Sequence, residues 1–143
     1  MSGIVVGVDG SPHSQNALDW ALGEAALRNA PLTVLAVVPV AASIWGITGQ
    51  NYPSEETRER IHKATQEIVD NALARHQGQN VTVHTVHGVP ADELIKASEG
   101  ADLLVVASRG SGGFATLVLG SVSSQVAHHS HCPVVVIPGG GGR

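Results

Sequence analysis

Five short apolar runs constrain this chain more than any other feature: IVVGVD (4–9), LTVLAVV (32–38), VTVHTV (81–86), DLLVVAS (102–108) and PVVVIP (133–138). Between them the period of the apolar residues changes. In 11–29, Leu18, Ala21, Leu22 and Ala25 fall on one face of a helix. Residues 54–76 repeat the pattern with Ile61, Ala64, Ile68 and Ala72; 90–100 read as a short helix opened by Pro90, and 121–130 as another. Ser11 before Pro12, and Ser54 before Glu55 and Glu56, are helix-start signals. The hydroxyls cap unpaired N–H groups and the acids suit the positive end of the helix dipole. Strands alternating with helices predict an α/β domain, a parallel sheet with helices on both faces. Continuous apolar runs belong to strands buried on both sides, whereas VTVHTV alternates and is expected at a sheet edge.

With 143 residues there is room for one domain and a proper core. Aromatic residues make up only 3%, so Val, Ile, Leu and Ala must build that core. A hydrophobic fraction of 43% and a mean hydropathy of +0.13 exclude a disordered chain. The net charge of −4 argues against nucleic acid held by a basic surface. No apolar run has the length of a membrane span, and MSGIVVGVDG lacks the basic start of a signal peptide. The lone Cys132 excludes an internal disulfide and suits a cytoplasmic location. GGGGR, 139–143, reads as a flexible tail, which leaves 1–138 as the folded domain.

Function is sought where a strand feeds a helix. In parallel sheets of this kind, ligands bind beyond the carboxyl ends of strands, where the strand order reverses. The segments after the first and fourth strands are VDGSP and ASRGSGGFATLVLGSVSS (107–124). The second holds four glycines, five serines and one arginine. Glycines bring backbone N–H groups close to a ligand, serines add hydroxyls, and the helix N-terminus adds unpaired N–H groups and partial positive charge. Together they make an anion cradle suited to phosphate; the plainer alternative is a tight connection. Three familiar phosphate signatures are missing. The first strand is followed by G-V-D-G-S instead of G-x-G-x-x-G, no lysine follows a glycine, and Asp9 lacks the paired acid of a phospho-acceptor domain.

Other features are weaker. The segment 39–53, PVAASIWGITGQNYP, is long for a connection, and its Trp45 and Tyr52 suit either a lid over a ligand or a dimer contact. Trp20 is expected to pack. His128, His129 and His131 cluster beside Cys132, but adjacent helical residues diverge by about 100°, so no metal site is expected there. Cys132 before Pro133 reads as packing.

The chain resembles the universal stress protein family over nearly its whole length. The resemblance rests on IVVGVDGS, on GVPADELIKAS through ADLLVVASRG, and on LGSVSSQVAHHSHCPVVVIP. Nucleotide-binding members carry G-x2-G-x9-G-[ST] after the fourth strand; here Ala107, Gly110, Gly120 and Ser121 hold that spacing, with alanine in place of the first glycine. The resemblance implies a single-domain, Rossmann-like, five-stranded parallel sheet in the order 3-2-1-4-5. It also implies ATP, with magnesium, as ligand. The adenosine half would lie near Val8, Asp9 and Val37, flanked by Val106 and Ala107. The phosphates would lie on Gly110, Ser111, Gly113, Gly120, Ser121, Val122 and Ser123, largely through backbone N–H. Arg109 would reach a phosphate or stay a solvated surface arginine, and Asp9 would touch the ligand or cap its own turn. A homodimer through 133–138, a downstream protein partner the sequence does not name, and little or no ATP turnover complete the expectation. Two alternatives stand beside it: a non-nucleotide member acting by protein contact, and a phosphohydrolase using Asp9 and a metal.

Overall fold

Valine and leucine runs pair side by side to form the sheet. Ile4 lies between Leu32 and Leu103, and Val6 lies between Val34 and Val105. The computed structural model describes residues 3–39, 55–76, 80–109 and 120–138. Its elements run β1 (Ile4–Gly7), α1 (Pro12–Arg28), β2 (Leu32–Pro39), α2 (Glu55–Leu73), β3 (Val81–Gly88), α3 (Pro90–Ser98), β4 (Leu103–Ala107), α4 (Ser121–His129) and β5 (Val134–Ile137). The strands form one all-parallel sheet in the order β3-β2-β1-β4-β5. That is the expected architecture, with the alternating strand β3 at one edge. Expected positions within 40–54 and 110–119, together with the tail at 139–143, lie outside the described residues; they include Ser54, Trp45 and Tyr52.

Each face of the sheet carries its own core. On one face Ile4, Val6 and Val8 meet Ala17, Leu18, Ala21, Leu22 and Ala25 of α1, with Val69 and Ala72 of α2. The α1 stripe is the expected one. On the other face Val5, Leu35, Leu104 and Val106 meet Leu94 of α3 and Val126 of α4. Cys132 is half-buried against this second cluster, as expected of packing. Helix α1 ends at Asn29, whose left-handed backbone (φ 54°) lets its N–H bond back to Ala25 and Ala26.

Two packing expectations need correction. The buried residues of α2 are Thr65, Val69 and Ala72, while Ala64 is exposed and Ile61 and Ile68 are only half-buried. The physical reason is polar: His62 Nδ1 lies 2.8 Å from Thr85 Oγ1, and Arg58 donates to the Thr85 carbonyl at 3.1 Å. The helix is turned to present these residues to β3, a rotation that hydrophobic periodicity cannot see. Trp20, expected to pack, remains 37% exposed, because the buried stripe of α1 is already filled by small and aliphatic residues.

Candidate functional site

The β1–α1 turn is built by three polar side chains around one glycine. β1 ends at Gly7, short of the expected residue 9; Val8 N–H still bonds to Leu35 O (3.0 Å), and the chain then turns. Gly10 sits at φ 85°, a conformation that costs an L side chain roughly 1–2 kcal/mol. Asp9 Oδ1 accepts from Ser11 N–H (2.9 Å), and Asp9 N–H donates to Ser14 Oγ (3.2 Å). Ser11 caps α1 by accepting from Ser14 N–H (3.2 Å), while Ser14 Oγ donates to Ser11 O (3.0 Å). The Asp9 carboxylate therefore does cap its own turn; it is also exposed.

The end of β4 and the start of α4 are joined at the carboxyl edge of the sheet, beside β1. β1 and β4 are central neighbours, paired up to Val6 with Val105, and the order of strands reverses between them. Beyond Ala107, Ser108 is buried and its N–H donates to Ile137 O (2.8 Å), which ties the strand end to β5. The Ser108 carbonyl accepts from Gly120 N–H and from Ser123 Oγ (3.0 Å). These bonds hold the start of α4 against the end of β4. The helical ladder begins with Ser124 N–H bonding to Gly120 O (2.9 Å), so the N–H groups of Ser121, Val122 and Ser123 precede it. No side chain caps this terminus. The result is a set of backbone donors and a positive dipole end at the mouth between two central strands, the chemistry that holds an anion.

Gly120 serves by its size. Its backbone (φ −77°, ψ 173°) is open to any residue, but a Cβ there would stand 3.2 Å from Ser108 O and 3.6 Å from Arg109 Cα. Val8 and Val106 are 5% and 4% exposed, so both belong mainly to the core. Val37 is half-buried in β2 opposite Val86, Ala107 closes β4, and Arg109 is half-buried just past it. Gly110, Ser111 and Gly113 lie outside the described residues.

Two roles escape sequence reasoning. Ser108 acts through its carbonyl, which no side-chain pattern announces. Ser123 turns its hydroxyl inward, at 2% exposure. The available signal was a serine three residues after Gly120, where a hydroxyl can fold back on the first turn. Among the histidines, His128 Nδ1 lies 2.8 Å from Ser124 O, and its ring is 6.3 Å from that of His129. No group of three His, Cys, Asp or Glu suited to a metal occurs among the described residues.

Comparison with known proteins now decides the family. Residues 1–138 match the universal stress protein family. The chain belongs to it. Universal stress protein Rv1996 of Mycobacterium tuberculosis is 34% identical over 151 residues, covering 95% of this chain and 48% of the relative. The chain thus spans about half the length of that universal stress protein. A universal stress protein solved in complex with cAMP is 31% identical, covers 95% of both chains and superposes with a TM-score of 0.68. The universal stress protein of Archaeoglobus fulgidus in complex with dAMP shares the fold at 23% identity, over 96% of this chain and 98% of its own, with a TM-score of 0.65. Within the family pattern, Ala107 is the departure. It lies in β4 opposite Ile137, and Asn29 is the one non-glycine residue with positive φ among those described. Its methyl group therefore sits on ordinary extended backbone, with no conformational penalty.

No helix among the described residues is long and apolar enough to cross a membrane.

Proposed function

We propose that this universal stress protein binds ATP, with magnesium carried on the phosphates, and works in the cytoplasm as a regulatory module with little or no turnover. The observation that carries this reading is the uncapped start of α4, stapled to the end of β4. Its N–H groups at Ser121, Val122 and Ser123 suit phosphate oxygens, and Gly120 leaves the approach open. The exposed Asp9 and the half-buried Val37 stand at the same sheet edge for the adenosine half. The relative solved with cAMP, itself an adenine nucleotide, supports the ligand class.

Chemistry beyond holding the phosphates finds little support. Fast hydrolysis needs a base for the attacking water and charge stabilisation on the leaving side. The Asp9 carboxylate is engaged by Ser11 N–H. ATP then acts through its differential contacts with two states of the protein, as a bound signal.

The reading includes a homodimer through 133–138. All four residues of β5 are half-buried and apolar, and β5 ends the sheet. The opposite edge differs: at β3, Arg58 reaches over to the Thr85 carbonyl. An apolar edge strand of this kind invites pairing. Freshly purified protein, denatured and chromatographed, tests the ligand: released adenine nucleotide supports the reading, and its absence together with no uptake of added ATP overturns it.

A further inference from the structure

Ser123 is one of the residues on which the phosphates are expected to lie, yet its side chain bonds within the protein. The hydroxyl is 2% exposed as part of a buried residue. Its oxygen lies 3.0 Å from Ser108 O and 3.2 Å from Gly120 O. A serine hydroxyl has one proton, and both neighbours are carbonyls that can only accept. The proton is shared between them, so it is spent within the protein.

Both acceptors matter. Ser108 O belongs to the last turn of chain leaving β4, and its N–H is already fixed to Ile137 O of β5 at 2.8 Å. Gly120 O starts the α4 ladder by accepting from Ser124 N–H at 2.9 Å. One hydroxyl therefore links the sheet to the first turn of the helix, whose N–H groups at 121–123 precede the helical ladder. We infer that Ser123 is a positioning residue for phosphate: its side chain fixes the start of α4 relative to β4, so that the N–H groups of 121–123 form a ready-made anion site. The inference rests on the nucleotide reading above and adds a division of labour, with the Ser123 N–H facing the ligand and the Ser123 hydroxyl facing the protein.

Without that hydroxyl, Ser108 O and Gly120 O both lose its proton, and the start of α4 is held less firmly to the end of β4. The loss then falls on the phosphate end of the ligand and spares the nucleoside end. A direct phosphate donor and a general stabiliser predict other patterns. The experiment measures binding of ATP and of adenosine, separately, to wild type, Ser123→Ala and Ser123→Thr, by calorimetry on the full chain. Ser123→Ala should bind ATP roughly threefold to tenfold more weakly, the effect of one net hydrogen bond, with adenosine binding unchanged. Ser123→Thr keeps the donor and should restore ATP binding. Equal loss of ATP and adenosine, ATP binding unchanged in Ser123→Ala, or no rescue by threonine would each overturn the inference while leaving the nucleotide reading intact. Wild type that binds neither ligand overturns both.

Discussion

Placing a valine at Gly120 separates the site from the fold. The backbone there is extended, so no conformational strain follows from the substitution. A Cβ meets Ser108 O at 3.2 Å, a contact that a shift of a few tenths of an ångström relieves. Exchanging a tolerated cap residue for valine adds a further cost, and the two together come to about 1–2 kcal/mol, or a melting shift of roughly 2–8 °C. Binding should suffer far more. Three charge-assisted hydrogen bonds from Ser121, Val122 and Ser123, at the low end of about 1.5 kcal/mol each, amount to about 4.5 kcal/mol. At 1.4 kcal/mol per tenfold, that is on the order of a thousandfold in affinity if the branched side chain keeps phosphate out. Gly120→Ala makes the same contact with Ser108 but lacks the γ-methyl groups, and should fall between. Calorimetric titration with ATP and magnesium, beside thermal melts, reads both quantities. A valine variant that binds ATP as wild type does, or one that loses binding only because it no longer folds, would refute the reasoning.

Four further outcomes follow from the same geometry. ATP hydrolysis in single turnover should take minutes or longer, against ~1–100 s⁻¹ for kinases; a rate above ~1 s⁻¹ that is lost in Asp9→Asn, which keeps the cap acceptor, would favour the phosphohydrolase. Leu22→Ala removes a fully buried side chain and should cost about 2–5 kcal/mol in denaturant unfolding, whereas Leu27→Ala, at an 84% exposed position of the same helix, should cost little. The Arg58 hydrogen bond holds the exposed Glu55 carboxyl below its ordinary value of 4.5, so its stabilisation is present above that pH and lost as pH falls through the lowered value. The melting difference between wild type and Glu55→Gln should accordingly shrink as pH falls below 4.5 and vanish below the lowered value. Light scattering should report a dimer at micromolar concentration, and a chain cut after Cys132 should lose it.

Much of this molecule is legible in its sequence because burial leaves a strong signal. The runs at 4–9, 32–38 and 102–108 can only be central strands, and the Leu18–Ala25 stripe marks the inner face of α1. Legibility fails where polar bonds set geometry. The rotation of α2 follows from Arg58 and His62 reaching Thr85, a pairing across distant positions that no local period encodes. The candidate site at the carboxyl edge was suggested by glycines, serines and a helix start that coincide there. Its construction was not legible. Ser108 contributes a main-chain carbonyl and Ser123 turns its hydroxyl inward, and residue type alone announces neither role. Conversely, the capping alternative for Asp9 was readable from D-G-S, since a short carboxylate bonds readily to the N–H two residues on.

Equilibrium dialysis of the purified chain against labelled ATP with magnesium tests the central claim most directly. Saturable uptake approaching one ATP per chain, competed by unlabelled ATP and greatly weakened in Gly120→Val, is the predicted result. A folded wild-type protein that takes up no ATP at millimolar concentration would contradict it.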